Sequence, residues 1–168
     1  GYIKYGVSAA NLATTVTDDR DQISESVGLF KTHHVTIRSL KANTTYYYKI
    51  GTGTKELYDN NGSPYTTTTV QSSSLPAKTV YGEIKSAAGT AGAGALVYVS
   101  SADMAPLSAV AQTNGSWVIS LATARKKDMR GAAVLTNDTV LDILVVSNQD
   151  DTTSVVAATL AQAQPVAD

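Results

Sequence analysis

The chain has 168 residues, with 13 Lys and Arg against 14 Asp and Glu and a formal net charge of -1. That balance leaves no basic excess for nucleic acid or for an anionic membrane surface. With no cysteine, disulfides, thiolate metal sites and cysteine nucleophiles are excluded. Charged residues make up 16% of the chain, below the usual ~25%. Thr, Ser, Ala and Gly fill the gap, which suits strands with small, hydroxylated outer faces. No run is long and apolar enough to span a bilayer, so no membrane insertion is expected. No leader-like segment is present, and the leader of an exported protein would lie outside this sequence.

Alternating and β-branched runs dominate, broken by Gly, Asn, Asp and Pro every ~8–12 residues. The prediction is an all-β chain with no helix longer than about three turns. The first strands are "YIKYGVS", "LATTVT", "HHVTIRSL", "TTYYYKIG" and "YTTTTVQ", the last two separated by the loop "TGTKELYDNNGSP". In that loop Asn61-Gly62 and Pro64 supply turn chemistry. The polar, proline-ended stretch "QSSSLPA" at 71–77 reads as a connector. It divides the chain into domains 1–75 and 76–168, two tandem β-sandwiches. The second group runs "KTVYGEIKS", a glycine-broken turn, "ALVYVSS", "PLSAVAQT", the tight turn "NGS", "WVISLAT", the basic loop "ARKKDMRG", "TVLDILVVSN", the acidic turn "QDD" and "TTSVVAATLAQ". These six or so short strands suffice for a complete small sandwich. Alternation places Val35, Ile37, Tyr46, Tyr48 and Ile50 in one core. Val97, Val99, Trp117, Ile119, Ile143 and Val145 fall in the other.

The stretch "HHVTIRSLKANTTYYYKIGTG" resembles the second half of a fibronectin type III domain, of the version that also precedes purple acid phosphatase catalytic domains. His34, Val35, Ile37, Leu40, Thr44, Tyr46 and Tyr48 carry the likeness, which covers residues 1 to about 71. It implies that Tyr46 forms a tyrosine corner, its hydroxyl hydrogen-bonded back across the turn. It also implies that the first two strands of the sandwich are missing from this sequence. The strand "HHVTIRSL" then lacks a partner and apolar area lies open. Two sources of a partner are expected: upstream strands of the same protein, or strand addition from a neighbouring copy. Repeated head to tail, the second route builds a filament. The C-terminal "SVVAATLAQAQPVAD" is the candidate donor.

Residues 78 to about 163 resemble carboxypeptidase regulatory-like domains, which implies a transthyretin-like sandwich. Gly82, Ile84, Gly89, Gly94-Ala95, Val97, Val99, Thr113, Gly115 and Trp117 carry that likeness. Related collagen-adhesin B-type repeats hold a lysine–asparagine isopeptide bond. Lys85 and Asn148 are the nearest candidates here, with Lys85 one position off the pattern, which turns a strand side chain to the other face.

Candidate chemistry is sparse. His33 and His34 are neighbours on a predicted strand, face opposite ways and cannot share one ion; His34 is expected to be half-buried and His33 solvated. The carboxylates at Asp18, Asp19 and Asp21, and at Asp150 and Asp151, lack the order of a calcium loop. No nucleophile elbow or phosphate loop occurs. No catalytic, cofactor-binding or metal residue is therefore assigned, and no cofactor is expected. The basic loop reads as a solvated connection. Asn43, Asn61, Asn114 and Asn137 stand in Asn-x-Ser/Thr sequons at predicted turns, so they are candidate glycan acceptors. Leu40, Tyr46, Tyr48 and Trp117 read as structural anchors.

The functional expectation is a non-catalytic extracellular or cell-surface protein, a fibre subunit or adhesin segment, with self-association or upstream strands completing its first domain and glycans as further partners. The alternative is a pair of accessory β-domains of a larger secreted hydrolase, such as a metallophosphoesterase. A weaker third reading is a carbohydrate-binding module.

Overall fold

A computed structural model describes residues 1–53, 56–71, 78–147 and 153–162. These residues are nearly all β, built from antiparallel sheets with no closed barrel among them. The chain divides into two compact units, Gly1–Gln71 and Ser72–Asp168.

The first unit contains β1 (Tyr2–Gly6), β2 (Thr14–Thr17), α1 (Asp19–Ser24), β3 (Thr45–Thr52), β4 (Glu56–Tyr58) and β5 (Tyr65–Thr68). They form one sheet in the order β2-β1-β3-β4, with β5 also on β3. Ile3 pairs with Val16 and Ile50, Tyr5 with Tyr48, Tyr48 with Tyr65, and Ile50 with Tyr58. Because side chains alternate along a strand, these residues and Tyr46 share one apolar face. Thr15, Lys4, Lys49 and Thr66 lie on the other. The close approach of β1 to β3 needs Gly51, since a Cβ there would collide with the Tyr2 ring.

That apolar face is only partly covered. Tyr46 is 8% exposed, while Ile50 is 44% and Tyr58 52% exposed. Val35, Ile37 and Tyr48 are half-buried. The predicted first core is therefore corrected: Tyr46 is buried, the others are partly buried, and Ile50 is exposed. A sheet face is buried by a second layer, and among its described residues this unit has one sheet only. Two further differences concern elements. "HHVTIRSL" forms no strand and bends at Ser39, φ 59°, and "DDRDQIS" contains α1. That helix starts where the Asp18 side chain accepts the Arg20 N–H, and its first turn carries Asp19 and Asp21, which favour the positive N-terminal end. Glu25 ends it in the left-handed conformation, φ 54°.

The second unit contains β6 (Thr79–Glu83), β7 (Leu96–Ser100), β8 (Leu107–Val110), β9 (Ser116–Ser120), a 3-10 turn (Leu121–Thr123), β10 (Val140–Val146) and β11 (Thr153–Thr159). A four-stranded sheet, β11-β10-β7-β8, and a two-stranded sheet, β6-β9, enclose one core. Val80, Trp117 and Ile119 come from the smaller sheet, and Val97, Val99, Leu141 and Ile143 from the larger, with Met104 from the β7–β8 connection and Leu121 from the 3-10 turn. Val145 packs against this cluster from a partly buried position. Each fully buried Val, Leu or Ile contributes roughly 1.5–3 kcal/mol. Gly115, at φ 83°, makes the "NGS" turn, where a Cβ would collide with the Ile84 carbonyl.

The structure also revises the candidate strand donor. Residues 153–159 pair with β10 along seven positions, and Ala158 packs on the core. This stretch serves as an edge strand of its own sheet, and residues 163–168 of the candidate donor fall outside the described residues.

Candidate functional site

The densest polar arrangement gathers at the start of α1. Asp18 is fully buried, and Arg20 and Asp21 nearly so. Arg20 forks onto Asp18, Nε to Oδ1 at 2.9 Å and Nη2 to Oδ2 at 2.9 Å, a two-point contact that suits a guanidinium. The same guanidinium donates to the Thr32 carbonyl and stacks 3.8 Å from the centre of the Phe30 ring, a cation–π contact. Asp18 Oδ2 accepts the His34 N–H at 3.0 Å and lies 3.1 Å from His33 Nδ1. The Asp18 N–H donates to the Gly1 carbonyl.

Asp19 holds the same segment further along. Its N–H donates to the His34 carbonyl at 2.8 Å. Its Oδ1 accepts the Thr36 N–H at 3.0 Å, and its Oδ2 accepts the Thr36 hydroxyl at 2.6 Å and lies 2.8 Å from His34 Nδ1. Asp21 Oδ1 accepts the Gly28 N–H at 2.7 Å. Burial alone raises the Asp18 carboxyl, but donors from the Arg20 side chain, the Arg20 N–H and the His34 N–H outweigh it. With the guanidinium charge, they hold it well below the usual carboxylate range. For Asp19, burial is likewise outweighed by the donors of His34 and Thr36, and its carboxyl is also lowered.

Chemically this arrangement is a clasp. Each carboxylate already accepts hydrogen bonds from within the chain, and no described group of three or more His, Asp or Glu is placed to hold a metal. His33 and His34 face separate carboxylates. His34 is the more buried ring, as expected, its side chain 12% exposed, and His33 is an exposed residue that still reaches Asp18. The clasp engages only one edge of the extended segment. The N–H and carbonyl of His34 and the N–H of Thr36 are bonded to the start of α1, whereas Val35 and Ile37 make no backbone hydrogen bond among the described residues. Arg20, Phe30 and Thr36 were not singled out in the sequence. The only available signal was the close spacing of Asp18, Arg20 and Asp21 ahead of the paired histidines.

The other candidates lie apart from this cluster. The Tyr46 hydroxyl accepts the Lys41 N–H at 2.9 Å, the geometry of a tyrosine corner. Leu40 and Tyr48 are partly buried and Trp117 is buried. Lys49 pairs with Asp59 at 2.7 Å. Donation from Lys49 and the Gly62 N–H lowers the Asp59 carboxyl. Asn43 and Asn61 occupy exposed turns with positive φ. Asn114 and Asn137 are exposed too, but their side-chain oxygens accept from Ser116 and from Lys78. Lys85 is half-exposed and pairs with Glu83 at 2.8 Å, so it does not sit in the core as an isopeptide lysine must. Asn148, Asp150 and Asp151 fall outside the described residues. Lys126, Lys127 and Arg130 of the basic loop are exposed.

Comparison with protein-family models, with curated proteins and with solved structures returns no match.

Proposed function

We propose that this chain is a non-catalytic structural or interaction protein of the extracellular space or cell surface, a fibre subunit or adhesin segment whose first unit accepts a β-strand from another copy. The observation that supports this reading is the extended segment 33–38. One edge is clasped by Asp18 and Asp19, while Val35 and Ile37 on the other edge make no backbone hydrogen bond among the described residues. The unit also exposes Ile50 and Tyr58 on its apolar sheet face. An open strand edge supplies main-chain affinity for an added strand, and a neighbouring apolar surface supplies side-chain specificity.

Sedimentation velocity over a concentration series tests this. Growth of larger species with concentration is expected, and Val35→Pro, which removes one open donor, abolishes it. A monodisperse monomer at every concentration refutes the proposal.

The alternative, accessory β-domains of a larger secreted hydrolase, draws on the tyrosine corner at Tyr46, which suits a fibronectin-like module in front of a catalytic domain. A metal-ligand-rich domain encoded after Asp168 in the gene favours this alternative.

A further inference from the structure

We propose that Asp18 and Asp19 form an acid-sensitive latch: their carboxylates stand in for a neighbouring strand along segment 33–36 and keep its opposite edge presented. The consequence for strand acceptance rests on the function proposed above; the latch itself does not.

The geometry is that of a β-ladder with its acceptors replaced. On an extended segment every second residue turns its main-chain groups to the same edge. His34 and Thr36 are such a pair. Their N–H groups meet Asp18 Oδ2 and Asp19 Oδ1, both at 3.0 Å. The Asp19 N–H returns to the His34 carbonyl at 2.8 Å, as a partner strand's N–H would. Two consecutive carboxylates thus serve two alternate donors. In a sheet those acceptors are carbonyls, which do not titrate near neutrality. Here they are acids.

The charged and titratable groups around the latch come from both sides. From α1 and its cap come Arg20, forked onto Asp18, and Asp21, turned to the Gly28 N–H. From the segment come the His33 and His34 rings, 3.1 and 2.8 Å from the carboxylates. Lys31 nearby is engaged in a contact of its own. Protonating either ring while the carboxylates remain ionised adds attraction, so acid release proceeds through the carboxylates. Both are lowered in the folded chain. The stability they contribute is therefore complete above the unfolded carboxylate value of ~3.9 and drains away as pH falls below it. Protonated Asp18 leaves the buried Arg20 guanidinium without its counter-charge.

Amide exchange of the full chain, read as protection factors at His34 and Thr36 against Val97 and Ile143 in the second unit, tests the latch. Between about pH 6 and about pH 3, protection at His34 and Thr36 is expected to fall at least about tenfold more than at the reference amides. Asp19→Ala should produce the Thr36 loss already at about pH 6. Equal protection at both pH values, or an unchanged Thr36 in D19A, overturns the latch. If D19A unfolds the first unit, Thr36→Val decides. It deletes only the hydroxyl contact and must raise the pH at which Thr36 protection is lost; an unmoved midpoint overturns the proposal. Sedimentation at the same pH values separates the two ideas. A monomer throughout, with the amide response intact, removes strand acceptance and leaves the latch standing.

Discussion

Asp18 is a carboxylate with no solvent contact, and its position is set by what Arg20 requires. Removing one member of a buried ion pair costs more than the pair itself contributes, because the survivor is left charged and unpaired. Asp18→Ala is therefore expected to cost about 3–5 kcal/mol. Phe30 and the Thr32 carbonyl still hold the guanidinium but carry no negative charge. A unit with Tyr46 as the one buried large apolar side chain among its described residues has little reserve, so loss of its cooperative transition is expected. Tyr2, Tyr5, Tyr46, Tyr47, Tyr48, Tyr58 and Tyr65 all lie in that unit, which makes near-UV circular dichroism of tyrosine in a urea titration the direct check. Tyr46→Phe is a milder change. It leaves the Lys41 N–H without its acceptor and should cost about 1 kcal/mol in the same titration.

Among the elements, the strands of the second unit were readable because alternation and burial agree. In β7 and β9 the residues predicted inward, Val97, Val99, Trp117 and Ile119, are buried. The turn after β9 closes the core with Leu121, 1% exposed. Leu121→Ala leaves a cavity there and should cost about 2–5 kcal/mol, read from the urea midpoint of Trp117 fluorescence. A change below about 0.5 kcal/mol would show that the site collapses around the gap. Two elements of the first unit escaped the pattern for separate reasons. The helix α1 has six residues, too few for a 3.6-residue period to show; its signal lies in the cap and the acidic first turn. The segment 33–38 does alternate, but a strand is defined by a partner, and this segment is bonded to the side chains of Asp18 and Asp19 and to the Asp19 N–H.

For the whole molecule the two units differ in what stabilises them, and pH separates them. The core of the second is apolar, with Ser101 as its buried polar residue among those described. The first relies on carboxylates whose folded values are lowered. Such groups stabilise above ~3.9 and lose that contribution as pH falls. In an acid titration the tyrosine signal should fade below about pH 4 while Trp117 fluorescence, from the chain's single tryptophan, persists to lower pH. Simultaneous loss of both signals, or tryptophan changing first, contradicts this division.

The sequence by itself determined the all-β class, the placement of Trp117, Val97 and Ile143 in a core, and the shared face of Tyr46, Tyr48 and Ile50. Each depends on a local period of two, which assigns a side chain to a face without reference to distant residues. The tertiary structure alone decided whether a face is covered, and so why Ile50 is exposed while Tyr46 is buried. It alone paired Asp18 and Asp19 with His33, His34 and Thr36, contacts that span 15 to 17 residues of chain. No period encodes that separation; it arises because α1 turns the chain back beside an extended segment whose main-chain donors need acceptors.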